Sequence, residues 1–288
     1  MKWYDKYQQI YNRSFAEVPP SVREEIRKGY LVANDANPVV SVIAIAHNES
    51  ERILACLWSL IDNKCKYPKE LLIVDDDSDD GMAEVLAALG VHTIFEKRRS
   101  PGYARQAGLD RAQGKYCVCV DADTIYPPHY IETMVDALLP DCYSCAYGLW
   151  SFLTDETLSP FQLRVYEFMR DIYLYIQHYR RPELNVRGMV FSFKTDLARK
   201  YGFRNDIIRG EDGSLALNLK QDGEIRFVRS RKVRPVTSNS ILKVQGTSLW
   251  DEIVHRTKKG VRGLAGLFVS AKTYEDRDDN LIAKIKKA

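Results

Sequence analysis

Four short apolar runs, each followed by a polar cluster and then by a segment of helical apolar spacing, occupy residues 39 to 139. This alternation narrows the possible folds more than any other property of the chain. Val39 to Ala46 reads as a first strand, with His47-Asn48-Glu49-Ser50 as the turn after it. Ile53, Leu54, Leu57, Leu60 and Ile61 then recur at the helix period. Leu71 to Val74 predicts a second strand, closed by Asp75-Asp76-Asp77-Ser78-Asp79-Asp80-Gly81 and followed by a helix over Met82 to Leu89. Thr93 to Phe95 is a third, short strand, and Ser100-Pro101-Gly102 opens a helix running from Tyr103 to about Ala112. A fourth strand, Tyr116 to Val120, precedes a helix over Pro128 to Leu139. Repeated strand and helix give an α/β fold with a mainly parallel sheet and helices on both faces. Parallel strands point the same way, so every polar cluster falls on one rim, where such sheets bind ligands.

The fourth strand stops in Asp121-Ala122-Asp123. Side chains two apart in an extended segment point the same way, so two carboxylates converge where the strand leaves the sheet. Hard divalent cations take oxygen ligands, and Mg²⁺ uses one or two carboxylates together with substrate phosphates. Asp121 and Asp123 are therefore candidate ligands for Mg²⁺ or Mn²⁺. No G-x-G-x-x-G or P-loop follows the first strand, so a bound nucleotide would be held through side chains and a metal.

The chain has 288 residues and a net charge of +3, too little excess charge on this length to argue for nucleic acid. No run of about 18 apolar residues predicts a membrane span, and the start of the chain lacks the apolar stretch of a signal peptide. Of six cysteines, Cys117 and Cys119 sit in the fourth strand as small hydrophobes. A reducing, cytoplasmic compartment is the expectation.

Outside the alternation, residues 1–37 read as a helical leader appended to the surface, with Ser21 and Glu24 at capping-box spacing before a helix over Val22 to Tyr30. After Leu139, Ala146 to Leu153 and Met189 to Phe193 suggest strands. Phe161 to Tyr179 suggests an aromatic-rich helix, either packed on the sheet or forming an acceptor groove. Residues 206 to 213 read as a loop and Ser214 to Lys220 as a helix. Glu224 to Val228 and Lys232 to Val236 read as two further strands. Trp250 to about Val269 is amphipathic and basic, the pattern of a helix docked on the core or lying on an anionic membrane surface.

Five segments together resemble the family-2 glycosyltransferases, inverting nucleotide-sugar enzymes of the GT-A fold. They are Ile45-Ala46-His47-Asn48-Glu49, Val74 to Gly81, Gly102 to Gly108, Asp121-Ala122-Asp123 and Glu211-Asp212. The resemblance covers roughly residues 39 to 230. It implies a Rossmann-like mainly parallel sheet in a catalytic domain over 38–240, with a nucleotide-sugar half (38–140) and an acceptor half (141–240). A helical C-terminal extension would follow over 241–288. It also implies that Ala46, Asn48 and Glu49 line the nucleotide pocket and that Asp75 or Asp76, with Asp76 favoured, accepts from a uracil N3–H. Arg105 would lie near the diphosphate, Asp121 at the ribose or metal, and Asp123 on Mn²⁺ or Mg²⁺. Where the family often has Gly and Thr, this chain has Asp77 and Asp79, which add negative charge beside a nucleotide.

Inverting transfer needs an acceptor hydroxyl deprotonated as it attacks the sugar from the face opposite the leaving phosphate, and a carboxylate does this work. The match with the family's acidic pair assigns Asp212 as base, supported by Glu211. Arg187 and Gly188 fall in the segment resembling the acceptor side, and His255 is a candidate metal or phosphate ligand. The Q-x-x-R-W motif of processive members is absent, so transfer of one sugar to a glycan or lipid-linked acceptor is expected. Two alternatives remain at this level. V-C-V-D-A-D-T also fits the haloacid-dehalogenase phosphatase signature with Asp121 as nucleophile, and a catalytically dead sugar-nucleotide-binding subunit would keep the same residues.

Overall fold

The computed structural model describes residues 2–154 and 159–238. The four predicted strands are β1 (Val40–Ala46), β2 (Lys69–Asp75), β3 (Thr93–Phe95) and β4 (Tyr116–Asp121). They pair in parallel, with Ala46 beside Asp75, Asp75 beside Phe95 and Ile45 beside Asp121. That register is what brings the polar clusters to one rim.

Side-chain alternation then builds a core on each face. Val42, Ala44, Val118 and Val120 point to one side, where they meet α2 (Pro20–Ala33), α3 (Ile53–Ile61), α4 (Met82–Ala88) and α6 (Tyr130–Asp136). Ile43, Val74, Cys117 and Cys119 point to the other. There they meet α5 (Pro101–Arg111), α8 (Thr195–Tyr201) and α9 (Glu211–Leu219). Each buried Val, Leu or Ile contributes about 1.5–3 kcal/mol by leaving water.

The second half departs from simple alternation. A strand β6 (Tyr143–Gly148) and a strand β8 (Phe191–Lys194) join the sheet, and both pairings of β8 are antiparallel. With β9 (Glu224–Val228) at the edge, the order among the described residues is β3-β2-β1-β4-β8-β6-β9. A small second sheet holds β5 (Thr124–Ile125), β10 (Val236–Thr237) and β7 (Ser151–Phe152), in that order. The aromatic helix is α7 (Pro160–His178). Leu163, Leu174 and Gln177 are buried, whereas Phe161, Phe168, Ile172, Tyr175 and Tyr179 are exposed.

Four expectations change. The leader is not an appendage: Tyr7, in the short helix α1 (Asp5–Gln8), and Ile10, Val18, Ile26 and Tyr30 are all buried in the core. Its capping box lies at Ser14 and Glu17, around a 3₁₀ turn over Phe15–Glu17, while Glu24 pairs with Arg27 and Lys28. The strand expected over Lys232 to Val236 is a 3₁₀ turn, Arg231–Val233, followed by the two-residue β10, because Pro235 supplies no N–H to a longer ladder. Finally, α9 begins at Glu211, inside the expected loop, so the acidic pair sits in a helix's first turn. The calls on residues 241–288, His255 included, lie outside the described residues.

Candidate active site

Arg105 is the centre of the site. It lies on α5 three residues before Gly108, on the face that meets the sheet. A Cβ on Gly108 would fall 2.3 Å from Ile43 Cγ2, so the helix rides close on β1 and carries Arg105 beneath the rim. The residue is 2% exposed. Its Nη2 donates to Asp121 Oδ1 at 2.7 Å, its Nε lies 2.9 Å from Asp212 Oδ1, and Glu211 Oε1 is 3.9 Å away. The Nε–Oδ1 contact is an ion pair without hydrogen-bond alignment, and Nη1 has no hydrogen-bond partner among the described residues. Burial alone would disfavour the guanidinium charge, but Asp212 and Asp121 more than offset it. The expectation placed this arginine at a diphosphate. Its guanidinium faces the carboxylates of Asp121 on β4 and of Glu211 and Asp212 on α9.

Gly188 makes that position possible. A Cβ there would sit 1.6 Å from Arg105 Nη2 and 2.3 Å from Cζ. The turn carrying Gly188 is tied down by two tyrosines, since Tyr130 and Tyr126 both donate to Met189 O, at 3.0 and 3.3 Å. The Tyr126 hydroxyl also accepts from Asp121 N at 2.9 Å. Arg187 is exposed, donates to the carbonyls of Leu184 and Val186, and lies close enough to Asp212 to act on its carboxyl.

Asp212 is 8% exposed. Burial pushes its carboxyl up to about 7; Arg105 pulls it down, while Glu211 and Asp121 add repulsion. Gly210 precedes the pair at φ 102°, a left-handed conformation that glycine adopts without a Cβ clash. The helix N-terminus favours the two acids beyond it.

At the end of β4, Asp123 Oδ1 accepts from the hydroxyls of Thr124 at 3.0 Å and Thr237 at 3.2 Å. Burial raises its carboxyl to about 6, and the charge of Asp121 adds to the shift. Burial also raises Glu49 to about 7, with repulsion from Asp123 opposed by Arg52. Arg52 Nη1 donates to Glu49 at 3.0 Å. Among the described residues no group of three or more His, Cys, Asp or Glu side chains is placed to hold a metal ion. Asp121 and Asp123 remain a fitting pair of hard oxygen donors: burial and, after it, the charge of Asp121 raise Asp123, a divalent cation would offset both, and phosphates and water would complete the coordination.

The first two rim loops are stitched together. Asn48, at φ 55°, donates through Nδ2 to Asp79 Oδ1 and accepts from Asp79 N, at 2.8 and 2.9 Å. Asp80 accepts from Ser50 N at 2.8 Å. Asp77 sits at φ 57°, a region that Asp tolerates and Gly enters freely. Asp75 and Asp76 are both buried, and their Oδ1 atoms accept from Ser78 N and Ser100 N, each at 3.0 Å. Burial raises the Asp76 carboxyl, against the Ser100 bond. His47, between Ala46 and Asn48, was not singled out in the sequence. Its Nε2 accepts from Arg99 at 2.6 Å, which leaves Nδ1–H to donate to Asp76 O at 2.8 Å. Tyr11, Asn12, Arg52 and Thr237 were missed as well. Only Arg52, three residues after Glu49 on a helix start, carried a local signal.

With this geometry in place, the comparisons decide the family. The model for "Glycosyl transferase family 2" matches residues 41–202, more than half of the chain. The chain belongs to glycosyl transferase family 2. A putative teichuronic acid biosynthesis glycosyltransferase of Bacillus subtilis is 29% identical over 122 residues, 40% of this chain and 47% of that protein. A poly-beta-1,6-N-acetyl-D-glucosamine synthase of Staphylococcus epidermidis is 32% identical over 92 residues, 30% of this chain and 22% of its own length. The chain thus spans less than half of these relatives. Among solved structures, a mannosyltransferase from Pyrobaculum calidifontis in complex with GDP-Man and Mn²⁺ superposes with TM-score 0.55 at 19% identity, covering 87% of this chain and 76% of that one. Glucosyl-3-phosphoglycerate synthase from Mycobacterium tuberculosis, in complex with Mg²⁺ and UDP, gives TM-score 0.52 at 17% identity, covering 85% and 83%. Both share the GT-A fold. Family-2 membership, with the strand of Asp121 coming fourth in the chain after β1, β2 and β3, sets the phosphatase reading aside.

Proposed function

We propose that this glycosyltransferase moves one sugar, with inversion, from a nucleotide-diphosphate sugar to a hydroxyl of a glycan or lipid-linked glycan in cell-surface polysaccharide assembly. A UDP-sugar is the favoured donor. The observation that carries the reading is the Arg105 bridge, which joins Asp121 at the nucleotide-side rim to Asp212 on the acceptor side within one buried charge cluster. Asp212 removes the acceptor proton, with a carboxyl whose raised affinity for protons suits a base working near neutral pH. Asp121 and Asp123 hold Mn²⁺ or Mg²⁺, which when bound supplies positive charge for the leaving diphosphate. Ala46, Asn48, Glu49, Asp75 and Asp76 line the nucleotide side. Arg105 orients the two acids, and Arg187 meets the acceptor beside Gly188. The metal and nucleotides in the solved relatives, and the polysaccharide roles in the names of the curated ones, agree with this assignment.

The acceptor side also suggests where the enzyme works. No described helix is long and apolar enough to cross a membrane. Yet Phe161, Val165, Phe168, Met169, Ile172, Tyr175, Ile176 and Tyr179 form one exposed apolar row on α7. The acids next to it, Glu167 and Asp171, are paired with Arg234, and Arg229 lies over the Tyr175 ring. An apolar row with cationic margins fits an anionic bilayer surface. We place the enzyme in the cytoplasm with this face against the membrane that carries a lipid-linked acceptor; the basic C-terminal segment lies outside the described residues.

A thermal-shift panel of UDP, GDP, CDP and their sugars, each with Mn²⁺ and with EDTA, tests the donor site. A ligand at about 100 times its Kd adds roughly 2.7 kcal/mol, a shift of several degrees. UDP or its sugars should raise the melting temperature only with Mn²⁺. No shift with any nucleotide in the presence of metal overturns the reading.

A further inference from the structure

The connection between β4 and β5 is two residues long, Ala122-Asp123, and the leader reaches it from outside the family-matched segment. The leader is anchored on α3. Tyr7 packs edge-on against Trp58 at 5.5 Å and donates to Asp62 Oδ2 at 2.9 Å, while Lys6 Nζ reaches the same oxygen at 2.7 Å. Ile10 is buried. Just beyond this anchor the Tyr11 hydroxyl donates to the backbone carbonyl of Asp123 at 2.7 Å. Asn12 then takes φ 59°, a left-handed turn that Asn visits more readily than other side-chain-bearing residues. Its Oδ1 accepts from Arg52 Nε at 2.9 Å, and Arg52 in turn holds Glu49.

The geometry points to the leader as a working part of the donor site, with Tyr11 the positioning residue that fixes Asp123. The carboxylate of Asp123 is oriented by Thr124 and Thr237, which pair across the small sheet, and Ala122 N donates to Ile45 O at 3.3 Å; these contacts leave the Asp123 carbonyl to Tyr11. Tyr11 holds the Asp123 carbonyl, and Asn12 holds the Glu49 loop through Arg52. The loops that carry Glu49 and Asp123 are thereby both held by one short segment, residues 11 and 12. This inference rests on the donor-site reading above, in which Asp123 holds the metal. A direct consequence is that the catalytic unit extends to residue 11.

The test compares two leader variants of the full chain that each lose one tyrosine hydroxyl, Tyr11→Phe and Tyr7→Phe. Affinity for UDP is measured by calorimetry with Mn²⁺ and with EDTA, with GDP run alongside, and melting temperature is read for each protein. Tyr11→Phe should weaken Mn²⁺-supported nucleotide binding roughly five- to tenfold, the loss of about one hydrogen bond, and should raise the Mn²⁺ concentration needed for half-saturation. Tyr7→Phe should lower the melting temperature by about 2–4 °C, the loss of about one hydrogen bond, and leave the Mn²⁺-supported affinity at the wild-type value. Overlapping binding curves for Tyr11→Phe and wild type overturn the positioning role, as does an equal loss in Tyr7→Phe, which would make the leader merely structural. If wild type itself binds neither nucleotide with Mn²⁺, the donor-site reading falls and takes this inference with it.

Discussion

Replacing Gly188 by Ala should be among the most damaging small substitutions in the chain. The added Cβ would lie 1.6 Å from Arg105 Nη2 and 2.3 Å from Cζ, so the guanidinium must move. It has little room to do so, because the side chain is almost wholly buried between Asp121 and Asp212. Overpacking alone costs about 1–3 kcal/mol, and separating a buried ion pair from one partner costs about 3–5 kcal/mol. A loss of at least ~3 kcal/mol is therefore expected, about 6–12 °C in melting temperature at the sensitivity of a chain this size. Gly90→Ala is the reference: Gly90 has φ 68° but nothing within 4 Å of an added Cβ, so only backbone strain of about 1–2 kcal/mol applies. Thermal unfolding of Gly188→Ala, Arg105→Ala and the double variant measures the coupling. In the Arg105→Ala background the space is vacant and the alanine at 188 should add almost nothing. Strictly additive losses, or a Gly188→Ala protein melting within 2 °C of wild type, would refute the claim that this glycine exists to seat the arginine.

Three further outcomes are expected. Asp212→Asn should keep Mn²⁺-dependent nucleotide binding while transfer falls about 10²–10⁴-fold; loss of binding instead would undo the assignment of Asp212 as base. Because burial raises Asp212 to about 7, its base form appears only as pH rises, so kcat/KM should climb through an ascending limb near pH 7 that is missing in Asp212→Asn. The stability sign is the reverse: Asp212 favours the folded state most below its unfolded pKa of about 3.9, and this contribution is lost as pH rises toward 7. In flotation with anionic vesicles, Phe168→Glu with Ile172→Glu should reduce recovery of the enzyme without changing its melting temperature by more than about 2 °C; unchanged recovery would remove α7 from the membrane reading.

The strands and the rim were legible because their signals are local. Hydrophobic runs such as Val40–Ala46 and Tyr116–Asp121 announce buried strands, and the residues just after them must lie at the carboxyl edge of a parallel sheet. What was not legible depends on contacts between distant segments. Nothing in the leader's composition shows that Tyr11 will touch a carbonyl 112 positions away, and its aromatic and polar mixture reads as surface until Trp58 and Asp62 are seen beneath it. Pro235 is the one local signal that the strand expected over Lys232 to Val236 is short, because it supplies no N–H to a ladder.

For Arg105 the motif is legible in the sequence, whereas its carboxylate partners are set by distant segments. A basic residue on a helix at a ligand-binding rim suggests a phosphate contact, and sequence alone cannot say which side of the helix faces the sheet. Gly108 decides this by letting α5 sit close on Ile43, which turns Arg105 inward, and Gly188 then leaves the space that the guanidinium fills. The buried charge has two acids to answer it, one from each half of the fold. Removing either acid leaves the cation short of a partner, and removing Asp121 also takes away its repulsion on the Asp212 carboxyl. Asp121 and Asp212 are therefore coupled through Arg105: Asp121 repels the Asp212 carboxylate, so Asp121→Asn should move the ascending limb of the pH profile to lower pH, and an unmoved limb would refute the coupling.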